Sequence, residues 1–218
     1  MSSPNVKALL FAQFARVSKA LGSGNRLELL EFLAQSERSV DTLSKLSGLS
    51  IANTSRHLQV LRQAGLVATR KEGLYVYYSV SGGGVVKLLA ALQEVAQHNV
   101  AEVTKLVTTY LTSKDSLEPV SVYDLADRIR SGLVTVVDVR PAEEYEAGHL
   151  PGAINVPLTD IEKNLGKFPP DREVVAYCRG PFCLLSFEAV ARLRNKGRKA
   201  RRLETGFPEW KIAGLPIE

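Results

Sequence analysis

The hydrophobic pattern of this chain changes at a polar segment that ends in proline, residues 112–119. Before this segment, apolar residues recur at the spacing of amphipathic helices. After it, short and nearly all-apolar runs alternate with helical stretches, as in a parallel sheet buried on both faces. Because 218 residues exceed the usual domain size of about 100 to 150, we expect two domains. We place them at residues 1–112 and 120–218, with residues 113–119 as the linker.

The surplus of positive charge lies entirely in the first half of the chain. Residues 1–116 hold 13 Lys and Arg against 8 Asp and Glu, whereas residues 117–218 hold 15 against 15. This asymmetry favours a polyanionic partner for the N-terminal domain. No apolar run approaches the roughly 18 residues of a membrane span. The N-terminus lacks the basic segment followed by an apolar segment and the small-residue cleavage site that a signal peptide has. We therefore expect a cytoplasmic protein with no membrane partner.

A helix-turn-helix outline lies in the N-terminal domain. Val40 to Ser47 and Ile51 to Ala64 are predicted helices, separated by Gly48-Leu49-Ser50, with Ser50 placed to cap the second helix. A hairpin follows, with predicted strands from Leu66 to Arg70 and from Leu74 to Val80.

The turn of this hairpin is expected at Lys71-Glu72-Gly73, with basic residues at its tip. Apolar residues at helical spacing then predict one long amphipathic helix from Val85 to Tyr110, whose apolar stripe needs a partner.

The second helix of the helix-turn-helix has two different faces. Thr54, Leu58 and Leu61 share one face and are expected to pack inward. The opposite side carries short or planar hydrogen-bonding groups, which suit contacts with base edges and phosphates in a major groove. With the capping serine, these candidate DNA-binding residues are Ser50, Asn53, Ser55, Arg56, His57 and Gln59.

Residues 55–67, SRHLQVLRQAGLV, and residues 70–78, RKEGLYVYY, resemble the recognition helix and wing of the ArsR-type repressor family. The resemblance implies a mainly α-helical winged helix-turn-helix. It also implies a homodimer built on the first and last helices, and an inverted repeat of double-stranded operator DNA as the partner. On the wing, Arg70 and Lys71 are implied to approach the phosphate backbone or minor groove, which their charge favours independently.

The inducer sites of metal-sensing members are not matched. Ser39-Val-Asp41 stands where such members carry a Cys-x-Cys pair, and no cysteine precedes Cys178. His98 and Glu102 are one turn apart on the predicted long helix, but two ligands per subunit are a weak signal for zinc. We expect no metal site and no cofactor.

Residues 137–157, VDVRPAEEYEAGHLPGAINVP, resemble the N-terminal signature of rhodanese-like domains, and residues 206–210, GFPEW, resemble their C-terminal signature. The resemblance implies an α/β domain with a parallel sheet. Four charged residues of the first signature are expected to tie loops beside the sheet through ion pairs and hydrogen bonds rather than to catalyse a reaction. They are Asp138, Arg140, Glu143 and His149.

Cys178 follows the predicted strand Glu173 to Tyr177 and precedes a predicted helix, which is where the rhodanese resemblance places the catalytic cysteine. Backbone N–H groups, the helix N-terminus and Arg179 are expected to lower the pKa of its thiol. A thiolate there is suited to attack a sulfane sulfur and to carry it as a persulfide. The loop expected to cradle the sulfur consists of Arg179, Gly180, Pro181, Phe182, Cys183 and Leu184.

This loop departs from the Cys-x-x-Gly-x-Arg pattern that is common in active sulfurtransferases. Its glycine comes one position early, and Cys183 stands where an arginine or polar group is common, which counts against efficient transfer from thiosulfate. Two roles remain open for Cys183. It either resolves a Cys178 persulfide into a disulfide or sulfur-bridged link, or it packs inside the first turn of the helix.

The sequence supports a DNA-binding transcriptional regulator, a repressor by resemblance, whose rhodanese-like domain senses reactive sulfur or redox state through Cys178. The expected ligand is a small sulfur species or thiol. A sulfurtransferase that forms a Cys178 persulfide, tethered to a DNA-binding module, is the alternative. A purely structural rhodanese-like fold is a third hypothesis.

Overall fold

The computed structural model describes residues 5–115 and 117–218 of the chain. The described residues form two compact units, which divide between Leu89 and Ala90. No helix within these described ranges is both long and apolar enough to cross a membrane.

The first unit combines helices with a small antiparallel sheet. Its elements are α1 (Val6–Leu21), α2 (Gly24–Gln35), β1 (Arg38–Ser39), α3 (Val40–Ser47), α4 (Ile51–Gln63), β2 (Val67–Glu72), β3 (Tyr75–Val80) and the start of α5 (Gly83–Asn99). The strand order is β1-β3-β2. As predicted, Ser50 caps α4: its side chain accepts a hydrogen bond from the backbone N–H of Asn53 at 3.3 Å.

Leucine side chains from three helices form the core of the first unit. The members with no exposed surface are Leu29 and Leu30 of α2, Leu43 of α3, and Leu58 and Leu61 of α4. Thr54 is also buried, and its hydroxyl donates to the Ser50 carbonyl at 3.0 Å. The predicted inward face of α4 is thereby confirmed. Its other face is left to solvent.

The hairpin turn lies further along the chain than the sequence indicated. The prediction of a turn at Lys71-Glu72-Gly73 is wrong, because β2 runs to Glu72 and Lys71 pairs with Val76 inside the ladder. The chain reverses at Gly73 and Leu74, and Gly73 adopts a φ of 58°, which glycine tolerates without strain. Leu74 is 97% exposed at the tip.

The predicted long helix is interrupted. α5 ends at Asn99, and Val100 is extended, with φ −112° and ψ 106°, before a new helix begins at Ala101. The prediction of one helix from Val85 to Tyr110 is therefore wrong, and His98 and Glu102 lie on opposite sides of the break.

The second unit is an α/β fold around a parallel sheet. After α5 it contains α6 (Ala101–Leu106), a π-helical segment (Val107–Thr112), α7 (Val122–Arg130), β4 (Val134–Asp138), α8 (Ala142–Glu146), β5 (Ile154–Asn155), two 3-10 segments (Leu158–Asp160 and Glu162–Lys167), β6 (Glu173–Tyr177), α9 (Leu184–Asn195), β7 (Ala200–Arg202) and α10 (Phe207–Ile212). The strand order is β5-β4-β6-β7, and each pairing is parallel, as predicted. Cys178 follows a central strand, at the carboxyl edge where ligands bind in open α/β sheets.

Candidate functional site

The two cysteines of the second unit are joined. Cys178 follows β6 and is 1% exposed, whereas Cys183 is partly exposed and precedes α9 as its N-cap residue. A disulfide links them, with their Cα atoms 6.2 Å apart and a sequence separation of five. A thiolate on Cys178, and the lowered thiol pKa predicted for it, therefore apply only to the reduced protein.

The backbone of the cysteine loop forms a turn. The N–H of Cys183 donates to the carbonyl of Gly180 at 3.1 Å, and the carbonyl of Cys183 accepts from the N–H of Ser186 at 3.2 Å. Pro181 has no N–H to offer. The expectation that the loop N–H groups surround the Cys178 sulfur is therefore wrong at Cys183, whose N–H closes the turn instead.

The charge of Arg179 is compensated. Its guanidinium donates to both carboxylate oxygens of Glu144, at 2.8 to 3.1 Å, and the Glu144 side chain is 1% exposed. A bidentate carboxylate partner reduces the field of the cation, so Arg179 contributes less positive potential at Cys178 than its charge alone would. Sequence reasoning singled out Glu143, which is exposed, and missed Glu144. α8 has only five residues, so helical periodicity does not separate the two.

The C-terminal signature lies against the cysteine loop. A Cβ atom at Gly206 would lie 2.4 Å from the carbonyl carbon and oxygen of Arg179, so the two backbones approach as closely as glycine allows. The N–H of Phe207 donates to the carbonyl of Cys178 at 3.2 Å. Glu209 accepts from the N–H of Gly206 at 3.0 Å, and burial raises the pKa of this carboxyl.

A buried polar network lies under the loop. Asp138 and Arg140 form an ion pair with a 2.6 Å contact, and neither side chain has exposed surface. Tyr177, next to Cys178, donates its hydroxyl to Asp138 and accepts from the N–H of Leu150 at 3.2 Å. Burial raises the pKa of Tyr177, so the phenol stays protonated. Arg140 also donates to the Gly148 carbonyl at 2.8 Å, so the predicted ion pair and the predicted hydrogen bond to a loop are both present.

The predicted DNA-binding residues of α4 lie together on its outer face. Asn53, Ser55, Arg56 and Gln59 are exposed, and His57 is half-buried. Ser50 is exposed too, but its hydroxyl already serves as the cap of the helix.

The two predicted wing contacts differ in their surroundings. Lys71 is exposed in β2. The neighbouring Arg70 donates from Nε to Glu37 at 3.2 Å and forms an ion pair with Glu72 at 2.6 Å. Its guanidinium carbon also lies 5.0 Å from the centroid of the Tyr77 ring.

Potential metal ligands do not cluster in the described part of the chain. Across residues 5–115 and 117–218, no group of three or more His, Cys, Asp and Glu side chains is placed to hold a metal ion. His98 points Nδ1 at the Glu94 carbonyl, 2.8 Å away within its own helix.

Two family models match the chain. The model described as "Bacterial regulatory protein, arsR family" matches residues 23–69, and the model described as "Rhodanese-like domain" matches residues 121–213. The HTH-type transcriptional regulator Rv0324 of Mycobacterium tuberculosis is 42% identical over 212 residues, covering 97% of this chain and 93% of the relative. A sulfurtransferase of Allochromatium vinosum is 35% identical over 85 residues, covering 38% of this chain and 78% of the relative.

One solved structure is a homodimeric winged helix-turn-helix DNA-binding domain from Mycobacterium bovis. It is 40% identical, with a TM-score of 0.43, and the match covers 46% of this chain and 93% of that structure. The similarity to the Mycobacterium tuberculosis regulator extends over nearly the whole sequence. The chain thus belongs to the arsR family of bacterial transcriptional regulators and carries a rhodanese-like domain after its winged helix-turn-helix.

Proposed function

We propose that residues 1–112 bind operator DNA as a homodimer, that residues 120–218 sense reactive sulfur or redox state, and that residues 113–119 connect them. In this proposal the protein is a cytoplasmic repressor whose two recognition helices read an inverted repeat. The main support for this proposal is that an arsR-family unit is fused to a rhodanese-like domain in which a disulfide links two cysteines. A disulfide that closes so short a loop removes little chain entropy, which favours a chemical role over a stabilising one.

The proposed sensing step uses both cysteines of the reduced protein. The Cys178 thiolate attacks a sulfane sulfur of a polysulfide, forms a persulfide and releases a polysulfide that is one sulfur shorter. The Cys183 thiolate then attacks the Cys178 sulfur, forms the disulfide and releases hydrosulfide. The two thiols are oxidised by two electrons, and the released sulfur atom is reduced. Because Cys178 is 1% exposed, we expect only a small donor to reach it.

Exposed apolar side chains in the first half of α1 support the homodimer in this proposal. These side chains are between 51% and 60% exposed, and they are Val6, Leu9, Leu10, Phe11 and Phe14. Large exposed apolar patches mark interaction sites. A second copy of the chain is the occupant that fits the family resemblance.

Polysulfide is expected to lower the affinity of the protein for operator DNA by about tenfold, within the usual range of allosteric coupling. A DNA fragment that the reduced protein binds is first selected from a random pool. Fluorescence anisotropy then measures the dissociation constant of the protein for this fragment before and after polysulfide treatment. Cys178→Ser is expected to abolish the response. Cys183→Ser is expected to stop at the persulfide, which intact-protein mass spectrometry detects as one added sulfur.

Equal affinities with and without polysulfide, in both the wild type and Cys178→Ser, would refute the sensing part of the proposal. The DNA-binding part stands or falls separately, because it is measured on the reduced protein alone.

Arg56→Ala is expected to weaken operator binding by about tenfold. It is also expected to reduce the slope of the logarithm of the binding constant against the logarithm of salt concentration by about one. Arg56 is exposed in the second turn of α4 and lies in the N-terminal half of this helix, and it is N-terminal residues of the recognition helix that contact bases in helix-turn-helix proteins. Arg62→Ala, in the last turn of the same helix, removes an equal charge and serves as the control. Equal losses in both variants would show that only net charge matters.

The sulfurtransferase alternative is favoured by the 35% identity of its rhodanese-like region to a sulfurtransferase. The compensated charge of Arg179 and the atypical loop argue against rapid turnover of an anionic donor. Cyanide-dependent turnover of thiosulfate that disappears in Cys178→Ser would favour this alternative over sensing.

A further inference from the structure

Arg70 of the wing is held between two carboxylates. Its side chain extends across the central strand β3, over the ring of Tyr77, and reaches Glu37 just before β1. Both guanidinium Nε and one terminal nitrogen contact the Glu37 carboxylate, and the other terminal nitrogen pairs with Glu72. The hydrogen bonds from Arg70 lower the pKa of Glu37, which therefore carries its negative charge at neutral pH.

The charges of this cluster do not balance. One guanidinium faces two carboxylates, so Arg70, Glu37 and Glu72 together carry a net charge of −1. All three side chains keep between 43% and 64% of their surface exposed, so the cluster faces solvent and a polyanion can approach it. A DNA phosphate that binds Arg70 competes with two carboxylates for the guanidinium and also approaches their negative charge.

We propose that Glu37 limits the affinity of the wing for DNA by competing with phosphate for Arg70. The inference deepens the DNA-binding part of the proposed function and rests on it. Exposed ion pairs contribute little net free energy, because solvent and salt screen them, so a phosphate can replace Glu37 without disturbing the fold. Glu37 lies outside the recognition helix, so its effect on affinity is independent of DNA sequence.

Glu37 is a better candidate for this role than Glu72. It contacts two nitrogens of Arg70, whereas Glu72 contacts one. Glu37 also belongs to the connection between α2 and α3. Its ion pair with Arg70 is therefore a side-chain contact between the wing and the segment that leads into the helix-turn-helix.

Glu37→Gln tests the proposal, because the amide keeps the shape of the side chain and removes its charge. We expect the reduced variant to bind the selected DNA about three- to tenfold more tightly than wild type. The slope of the logarithm of the binding constant against the logarithm of salt concentration is expected to be steeper by about one. The gain is expected on unrelated DNA as well. Glu28→Gln, an exposed site on α2 with the same loss of charge, is the control and is expected to change affinity less than twofold.

A double-mutant cycle with Arg70→Gln completes the experiment. If Glu37 acts through Arg70, the Glu37→Gln substitution produces no gain in the Arg70→Gln background. Unchanged or weaker binding by Glu37→Gln, or an equal gain with Arg70 absent, overturns the inference. Failure of the reduced wild type to bind any selected DNA overturns the proposed function instead, and the two failures are therefore distinguishable.

Discussion

Asp138→Asn is expected to destabilise the rhodanese-like unit by about 3–5 kcal/mol, the cost of removing one partner of a buried ion pair. Asp138 and Arg140 have no exposed side-chain surface, so solvent does not replace the lost carboxylate charge. The substitution also weakens the acceptor of the Tyr177 hydroxyl, next to Cys178. Unpaired polar groups of this kind carry their full desolvation cost.

Urea unfolding measures this loss directly. The only tryptophan of the chain, Trp210, is 1% exposed in the same unit, so its fluorescence reports on unfolding there. Asp127→Asn is the matched control, because Asp127 pairs with Arg130 at the surface and its side chain is 67% exposed. A midpoint for Asp138→Asn that coincides with that of the control would contradict the assigned role of the buried pair.

Gly206→Ala is expected to destabilise the same unit by about 1–3 kcal/mol and to displace the cysteine loop. The added methyl group would lie 2.4 Å from the backbone of Arg179 and 2.5 Å from the nitrogen of Gly180, so backbone must move. Because Arg179 and Gly180 lie between the two cysteines, the rate of disulfide formation is expected to fall.

Thiol titration during oxidation by polysulfide measures that rate. Gly180→Ala is the control in the same loop, because a Cβ there meets no atom within 4 Å. If Gly206→Ala and Gly180→Ala close the disulfide equally fast, the contact between the C-terminal signature and the loop does not govern the cysteine chemistry.

Local patterns explain which parts of the fold could be predicted. The helix-turn-helix follows from periodicity and from the capping serine at position 50, and the parallel sheet follows from two apolar runs. No sequence signal indicates the break at Val100, because a valine is compatible both with the apolar stripe of a helix and with an extended backbone. The exact position of the hairpin turn does not follow from the sequence, because Lys71 and Glu72 are as compatible with an exposed strand as with a turn, and the structure places them in β2.

The site residues that sequence reasoning missed depend on distant partners. Glu144 is 35 residues from Arg179, and Glu37 is 33 residues from Arg70. Asp115, within the polar segment predicted as a linker, is 4% exposed and pairs at 2.7 Å with Arg194, 79 residues away. Hydrophobic spacing carries no information on such ion pairs, because a charged residue is compatible with both a solvated and a paired side chain.

The unequal exposure of the two cysteines predicts which of them a reducing thiol attacks first. Cys183 is partly exposed and Cys178 is buried, so we expect a reducing thiol from solvent to reach the disulfide from the Cys183 side. Since thiol–disulfide exchange depends on which sulfur can be approached, we expect the mixed disulfide to form on Cys183, with Cys178 as the leaving thiolate. Recovery from oxidation would thus return Cys178 to its reactive form in the first exchange, before Cys183 is free.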